Sequence, residues 1–242
     1  MVSIEPGRLY VVATPIGNLG DLSARARETL AGVDAIAAED TRHTARLLGH
    51  LGLKQPLISL HEHNENERVA MLRQRLDSGS AIALVSDAGT PLISDPGYRL
   101  VRALREAGRE VLAVPGPSSI VAALSVAGLP TDRFSYEGFL PARPASRRKR
   151  LTALAGLEHT LVVLESGRRL EPALADMVEA FGPEREAAIC RELTKRFETT
   201  RLEPLAGLVD WVAADPHRLK GEFVILIGGA PPASSADQAV LP

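Results

Sequence analysis

Short apolar runs recur along the first half of the chain, each followed by a stretch whose apolar residues fall three and four positions apart. Leu9 to Ala13, Ala35 to Ala38, Leu57 to Leu60, Ala81 to Val85 and Val111 to Val114 read as strands. Helical spacing runs through Leu30, then over Thr44 to Leu51, Glu65 to Leu76, Tyr98 to Ala107 and Ile120 to Ala127. This alternation predicts an α/β domain on a mostly parallel sheet of five strands. Helix starts are marked by Asp21 or Ser23, by Asp40 or Thr41, by Asp95 ahead of Pro96, and by Ser118 or Ser119.

Gly128-Leu129-Pro130-Thr131-Asp132 reads as a linker, and the rhythm restarts behind it with less regular spacing. Strands over Phe134 to Phe139, Thr160 to Leu164, Ala187 to Cys190 and Glu222 to Ile227, with helices near 147–155, 168–181 and 204–214, predict a second α/β domain on a mixed sheet. The expected boundaries are 1–127 and 128–230, with 231–242 a flexible tail, and the cleft between the domains is the default ligand site.

Composition removes several classes. One cysteine, Cys190, cannot build a disulfide framework, and no Cys/His cluster has zinc spacing, so a reducing cytoplasm and no metal are expected. The chain start lacks a basic segment followed by an apolar one, and no apolar run approaches the ~20 residues of a membrane span, so neither secretion nor membrane insertion is expected. A net charge of −2, balanced along the chain, confines any polyanion contact to a local patch. The concentrated run is Arg143 with Arg147, Arg148, Lys149 and Arg150, five cations in eight residues. It reads as a solvated helix face or as an RNA site, whose log–log salt slope would reach at most about −3.5 if all five met phosphates of a single strand.

Candidate chemistry collects at strand ends. Ser86 to Gly97, S-D-A-G-T-P-L-I-S-D-P-G, joins a strand to a helix at the carboxyl edge, where open parallel sheets bind ligands. Gly89 and Gly97 allow close backbone approach there, and the sequence assigns Asp87 no capping duty. Pro15-Ile16-Gly17-Asn18-Leu19-Gly20 has the form of a dinucleotide turn whose first glycine is replaced, with the acids Glu39 and Asp40 about twenty residues on; a plain turn fits it as well. Glu39-Asp40-Thr41-Arg42-His43 is either a reactive group or a charged helix start. His61 and His63 could hold a metal or belong to a polar loop. Glu192 and Lys195, in E-L-T-K-R-F-E, either meet substrate or pair with each other.

The opening V-A-T-P-I-G-N-L-G-D-L, A-E-D-T-R-H-T, S-D-A-G-T-P-L-I-S-D-P-G, V-P-G-P-S-S, F-S-Y-E-G-F-L-P and E-L-T-K-R-F-E together resemble the tetrapyrrole methylase superfamily from about Arg8 to Gly228, and within it the ribosomal RNA branch. The resemblance implies two α/β domains, a homodimer, and S-adenosylmethionine held in the cleft between them. It further implies methylation of the 2′-hydroxyl of a cytidine in the decoding region of small-subunit rRNA, free or in the assembled subunit. Carried onto matching positions, Pro15, Ile16 and Gly17, then Asp87, Ala88, Gly89 and Thr90, then Ser118, Ser119 and Ile120 would hold the donor, with Val163 and Leu164 as the opposite wall. The ribose proton needs an acceptor, for which Asp40 and His43 are expected ahead of Glu62 and of Glu192 or Lys195, and Lys195 is counted with Asp40 and His43 among the catalytic residues. Arg42 would face the substrate, Lys195 a phosphate, and Arg147, Arg148, Lys149 and Arg150 the RNA backbone. Similar proteins usually read E-S-P-H-R where this chain has Glu165-Ser166-Gly167-Arg168-Arg169, which leaves Glu165, Ser166 and Arg169 in common. The competing readings are a tetrapyrrole methyltransferase, a nicotinamide oxidoreductase and a non-catalytic RNA-binding module.

Overall fold

The computed structural model describes residues 3–231, and the chain divides into two compact units, 1–119 and 120–242. In the first unit β1 (Leu9–Val12), β2 (Ala35–Ala38), β3 (Leu57–Ser59), β4 (Ile82–Val85) and β5 (Val111–Val114) form a parallel sheet in the order β3-β2-β4-β1-β5. The connecting helices are α1 (Ala24–Gly32), α2 (Thr41–Leu51), α3 (Glu65–Asp77) and α4 (Tyr98–Glu106). α1 and α2 bury Leu30 and Leu48 with Tyr10, Val12 and Ile36. α3 and α4 bury Leu72, Leu76, Leu100 and Leu104 with Leu9, Ile82 and Leu84 on the opposite face, since successive strand residues point to opposite sides. Each such buried leucine contributes about 1.5–3 kcal/mol. β1 and β2 therefore lead to helices on one face and β4 to a helix on the other. The reversal around β4 is a topological switch point, where open sheets leave a crevice at the carboxyl ends of their strands.

α5 (Ser119–Val126) begins at the junction and is grouped with the second unit from Ile120 onward. It lies outside the 128–230 range expected from the linker, because its Ala123 carbonyl meets the Cys190 thiol at 3.9 Å. The second unit continues with β6 (Phe134–Phe139), α6 (Pro144–Leu154), β7 (Thr160–Ser166), α7 (Gly167–Phe181), β8 (Glu186–Arg191), β9 (Thr199–Pro204), α8 (Leu205–Ala213) and β10 (Glu222–Ile227). Its sheet runs β6-β7-β10-β8-β9, parallel between β6 and β7 and antiparallel elsewhere. Both sheets have the class predicted from the sequence. β9 is the strand that the hydrophobic pattern missed: it lies at the edge and exposes Thr200, Arg201 and Leu202, so no apolar alternation marks it.

A second difference concerns the start of α4. Asp95 does not cap this helix, and Pro96 is not its first residue; Gly97 stands at the N-cap. The amides of Gly97, Arg99 and Leu100 instead donate to one oxygen, Glu65 Oε1, at 3.1, 2.8 and 3.3 Å. The cap is thus supplied by the first residue of α3, which sequence-local capping rules do not see. Among the described residues no helix is long and apolar enough to cross a membrane. Of the expected tail, Pro231 is described and 232–242 lie outside the described residues.

Candidate active site

The exits of β1, β4 and β5 are cross-tied. Thr14 donates its amide to the Gly89 carbonyl at 2.9 Å and accepts the Gly89 amide at 3.1 Å, a two-residue bridge. The Thr14 hydroxyl donates to the Ser86 carbonyl at 3.4 Å, and the Thr90 hydroxyl to the Pro117 carbonyl at 3.1 Å. Gly89 makes the bridge possible: its φ is +79°, and a Cβ there would stand 3.3 Å from Ile16 Cγ2. These bonds bring Pro15, Ile16 and Gly17, Asp87 to Thr90, and Ser118 and Ser119 to one edge, with Gly17 and Ala88 exposed. The loop beyond carries Leu92 at φ 73° and Ser94 at φ 65°. Non-glycine residues pay about 1–3 kcal/mol each for such backbone, and it concentrates at functional sites.

Carboxylates gather beside this edge. Asp87 Oδ1 accepts the Asp40 amide at 3.1 Å, and Glu39 Oε2 accepts the Asp87 amide at 3.3 Å, a reciprocal clasp between the ends of β2 and β4. This is the duty that the sequence left unassigned for Asp87. Asp40 caps α2, accepting the Arg42 amide at 2.8 Å and the Arg42 guanidinium at 3.2 and 3.0 Å. The Arg42 hydrogen bonds hold its carboxyl at about 2, so Asp40 is a weak proton acceptor. His43 is exposed on the first turn of α2. Burial pushes Glu39 up, against the Asp87 amide bond that lowers it. Burial also pushes Asp95 up, to about 6; the Ser86 hydroxyl opposes this and the charges of Glu39 and Asp87 add to it. Asp95, which the sequence marked only as a cap, is therefore the carboxylate best matched to neutral pH.

The glycine turn does not complete a dinucleotide fingerprint. Asn18 caps a 3-10 turn at Leu19–Asp21, and α1 starts only after Ser23, whose hydroxyl accepts the Ala26 amide at 3.0 Å. The helix does not follow the glycines directly, as that motif requires. His61 and His63 stand with ring centroids 6.0 Å apart.

In the second unit the sequence-predicted residues separate. Arg147 does not face RNA as the sequence predicts: it is 4% exposed, and its Nε donates to Asp176 Oδ2 of α7 at 2.6 Å, so its charge is used inside the fold. Arg148, Lys149 and Arg150 are exposed, although Arg148 lies 3.4 Å from Asp176 and Arg150 pairs with Glu137. Val163 belongs to the unit's own core, and Leu164 is half-buried. Ile120, at the start of the unit, is buried. Lys195 pairs with Glu192 at 2.9 Å and with Glu222 at 2.8 Å, in a loop rather than across a helix turn. Burial opposes the Lys195 charge, but the two carboxylates outweigh it and hold the ammonium above the ordinary lysine range. Glu165 is buried with Oε2 3.0 Å from the Arg169 guanidinium. Gly167 stands where a Cβ would run into the Leu219 carbonyl, so the proline of similar proteins does not fit this backbone.

A strand-edge site at the switch point of a parallel sheet, followed by a mixed-sheet unit, defines a class. The chain matches the family model of the Tetrapyrrole (Corrin/Porphyrin) Methylases over residues 8–209, and it belongs to that family. Solved structures share the fold: a uroporphyrin-III-C-methyltransferase from Thermus thermophilus superposes with a TM-score of 0.62 over 92% of this chain and 94% of that one, at 24% identity. The methyltransferase CobJ superposes with a TM-score of 0.67 over 93% and 95%, at 21% identity. Among curated relatives the chain is similar to Ribosomal RNA small subunit methyltransferase I of Xylella fastidiosa (strain Temecula1), 56% identical over 225 residues, 93% of this chain and 82% of the relative. It is also 52% identical over 223 residues to the protein of that name from Escherichia coli O157:H7, covering 92% of this chain and 78% of the relative.

Proposed function

We propose that the chain is an S-adenosylmethionine-dependent methyltransferase that modifies the 2′-hydroxyl of a cytidine in the decoding region of small-subunit rRNA. The observation that carries this reading is the cross-tied edge of β1, β4 and β5, in a chain more than half identical to a named rRNA methyltransferase. The edge fits a methyl donor. Gly89 is buried on left-handed backbone with Ile16 closely packed against it, and the turns at Pro15–Gly17, Asp87–Thr90 and Ser118–Ser119 surround it with backbone that a ligand can approach. S-adenosylmethionine supplies, when bound, a methyl group on a sulfonium.

The chain's own tasks are alignment and proton acceptance. Fixed turns that hold two reactants in line can supply about 7–11 kcal/mol of barrier lowering. The proton of the ribose hydroxyl passes to the carboxylate group at the ends of β2 and β4, with Asp95 better matched than Asp40. Arg148, Lys149 and Arg150 offer phosphate contacts that position the RNA without reading its sequence. The reading carries with it a cytoplasmic location and a homodimer, for which Val121 (63% exposed) and Val126 (48%) on α5 and Leu202 (41%) on β9 offer apolar surface. Sedimentation at twice the chain's mass supports the dimer, and a monomer under assay conditions refutes it.

The test is incubation with methyl-labelled S-adenosylmethionine and small ribosomal subunits from cells lacking the modification. Label in the rRNA is the expected result. No label in the rRNA, with label entering a tetrapyrrole supplied in a parallel incubation, overturns the reading.

A further inference from the structure

The E-L-T-K-R-F-E run, Glu192 to Glu198, links β8 to β9 and is cross-braced. Glu192 (φ 51°) and Thr194 (φ 65°) hold left-handed backbone that non-glycine residues seldom adopt. Glu192 Oε1 accepts from Lys195 Nζ at 2.9 Å and from the Glu222 amide at 3.0 Å, and Glu198 Oε2 accepts the Thr194 amide at 2.6 Å. Gly221, at φ +112°, lies so near that a Cβ there would stand 2.5 Å from Glu192 Oε1. Leu193 is buried. With these side chains spent on the shape of the loop, Arg196 and Phe197 are left exposed, the phenylalanine by 64%.

Arg191 ties this loop to the 3-10 turn Pro216–Leu219: its guanidinium donates to the carbonyls of Lys220, Phe197 and His217 at 2.7, 3.2 and 3.2 Å. Between loop and turn opens a cavity of about 720 Å³, lined by Phe197, Trp211, His217, Arg218 and Lys220 and by two carboxylates, Glu192 and Asp215, which pair with Lys195 and Arg218. Arg218 stacks 4.8 Å from the Trp211 ring centre, and Arg196 stands 5.6 Å from that of Phe197. Among the described residues neither Arg196 nor Lys220 has a carboxylate within salt-bridge distance.

We propose that this cavity takes an unpaired nucleotide of the RNA substrate, its base stacked on Phe197 and its phosphate met by His217 and Lys220, with Arg196 adding positive charge beside the Phe197 ring, outside the cavity lining. The inference rests on the rRNA reading above and adds to it a substrate site apart from the basic run on α6. An aromatic ring exposed on a fixed backbone offers a stacking platform that costs little to order. Cations around such a ring suit a single strand, whose bases are splayed, rather than a duplex, whose stacked bases cannot reach the ring.

The test is fluorescence anisotropy of the full chain with a short, labelled, cytidine-rich single-stranded oligoribonucleotide. Phe197→Ala is expected to raise Kd about 5- to 150-fold with an unchanged salt slope, and Phe197→Tyr to restore binding. Lys220→Ala is expected to flatten the log–log salt slope by about 0.7, the share of one phosphate contact. All three variants are expected to bind S-adenosylhomocysteine as the parent does. Absence of binding by the parent, an unchanged Kd in Phe197→Ala, equal competition by a duplex of the same sequence, or displacement by an acidic peptide instead of RNA overturns the inference. If the parent methylates small subunits and Phe197→Ala does so with unchanged KM, this site alone is wrong; if the parent transfers no methyl group to RNA, the rRNA reading itself fails.

Discussion

Removal of the Glu65 carboxylate tests how the loop from Ser86 to Gly97 is held. Glu65 is 6% exposed, and its Oε1 is the shared acceptor for three amides at the start of α4. A hydrogen bond to a charged group nets about 1.5–3 kcal/mol, and a buried donor left without a partner costs about 1–3 kcal/mol. Three donors on one oxygen do not add fully, so Glu65→Ala should destabilise the first unit by about 3–5 kcal/mol, a large part of the 5–15 kcal/mol typical of a domain. Glu65→Gln keeps an acceptor and loses the charge at the helix N-terminus, about 1 kcal/mol. Trp211, the one tryptophan, lies in the second unit and does not report on the first. The assay is therefore amide hydrogen exchange of Gly97, Arg99 and Leu100 in the full chain, together with denaturant unfolding followed by circular dichroism. If Glu65→Ala leaves both the exchange rates and the unfolding midpoint of the first unit unchanged, capping from α3 does not hold the loop.

Two further outcomes follow from charge and burial. Burial raises Asp95 to about 6 in the folded chain, so its neutral form is favoured, and the stability it lends is present below about pH 4 and lost as pH rises through about 6. After discounting for solvent screening at this half-exposed group, Asp95→Asn should gain about 1 kcal/mol at pH 8 and nothing at pH 4; equal midpoints at both pH values would contradict this. In the second unit Arg147→Ala removes one partner of a buried ion pair and should cost about 3 kcal/mol without changing the salt slope of RNA binding. Lys149→Ala should leave stability within about 0.5 kcal/mol and flatten that slope, and the reverse pattern would refute the assignment.

Both sheets could be read from the sequence because their central strands are short and uniformly apolar, with helices of clear periodicity between them. Three things could not. β9 pairs at an exposed edge and carries no apolar alternation. Glu65 acts across more than thirty residues of chain, so no local pattern links it to α4. Arg147 is one cation in a run of four, and only the facing Asp176 on α7 separates it from its exposed neighbours. At the candidate site, the glycine turns were legible as turn chemistry. The clasp of Glu39, Asp40 and Asp87 was not, because it joins backbone and side chain between strands that pair only in the sheet.

The proposed seat of the methyl donor is tested most directly by calorimetric titration with S-adenosylhomocysteine of the parent chain and of Gly89→Val, the latter confirmed as folded by circular dichroism. Gly89 holds a φ of +79° with Ile16 against it, so valine cannot keep the Thr14 bridge. Binding by the parent and its loss in Gly89→Val is the predicted result. Equal affinity in the two proteins, or no heat with either, would contradict a donor site at this edge.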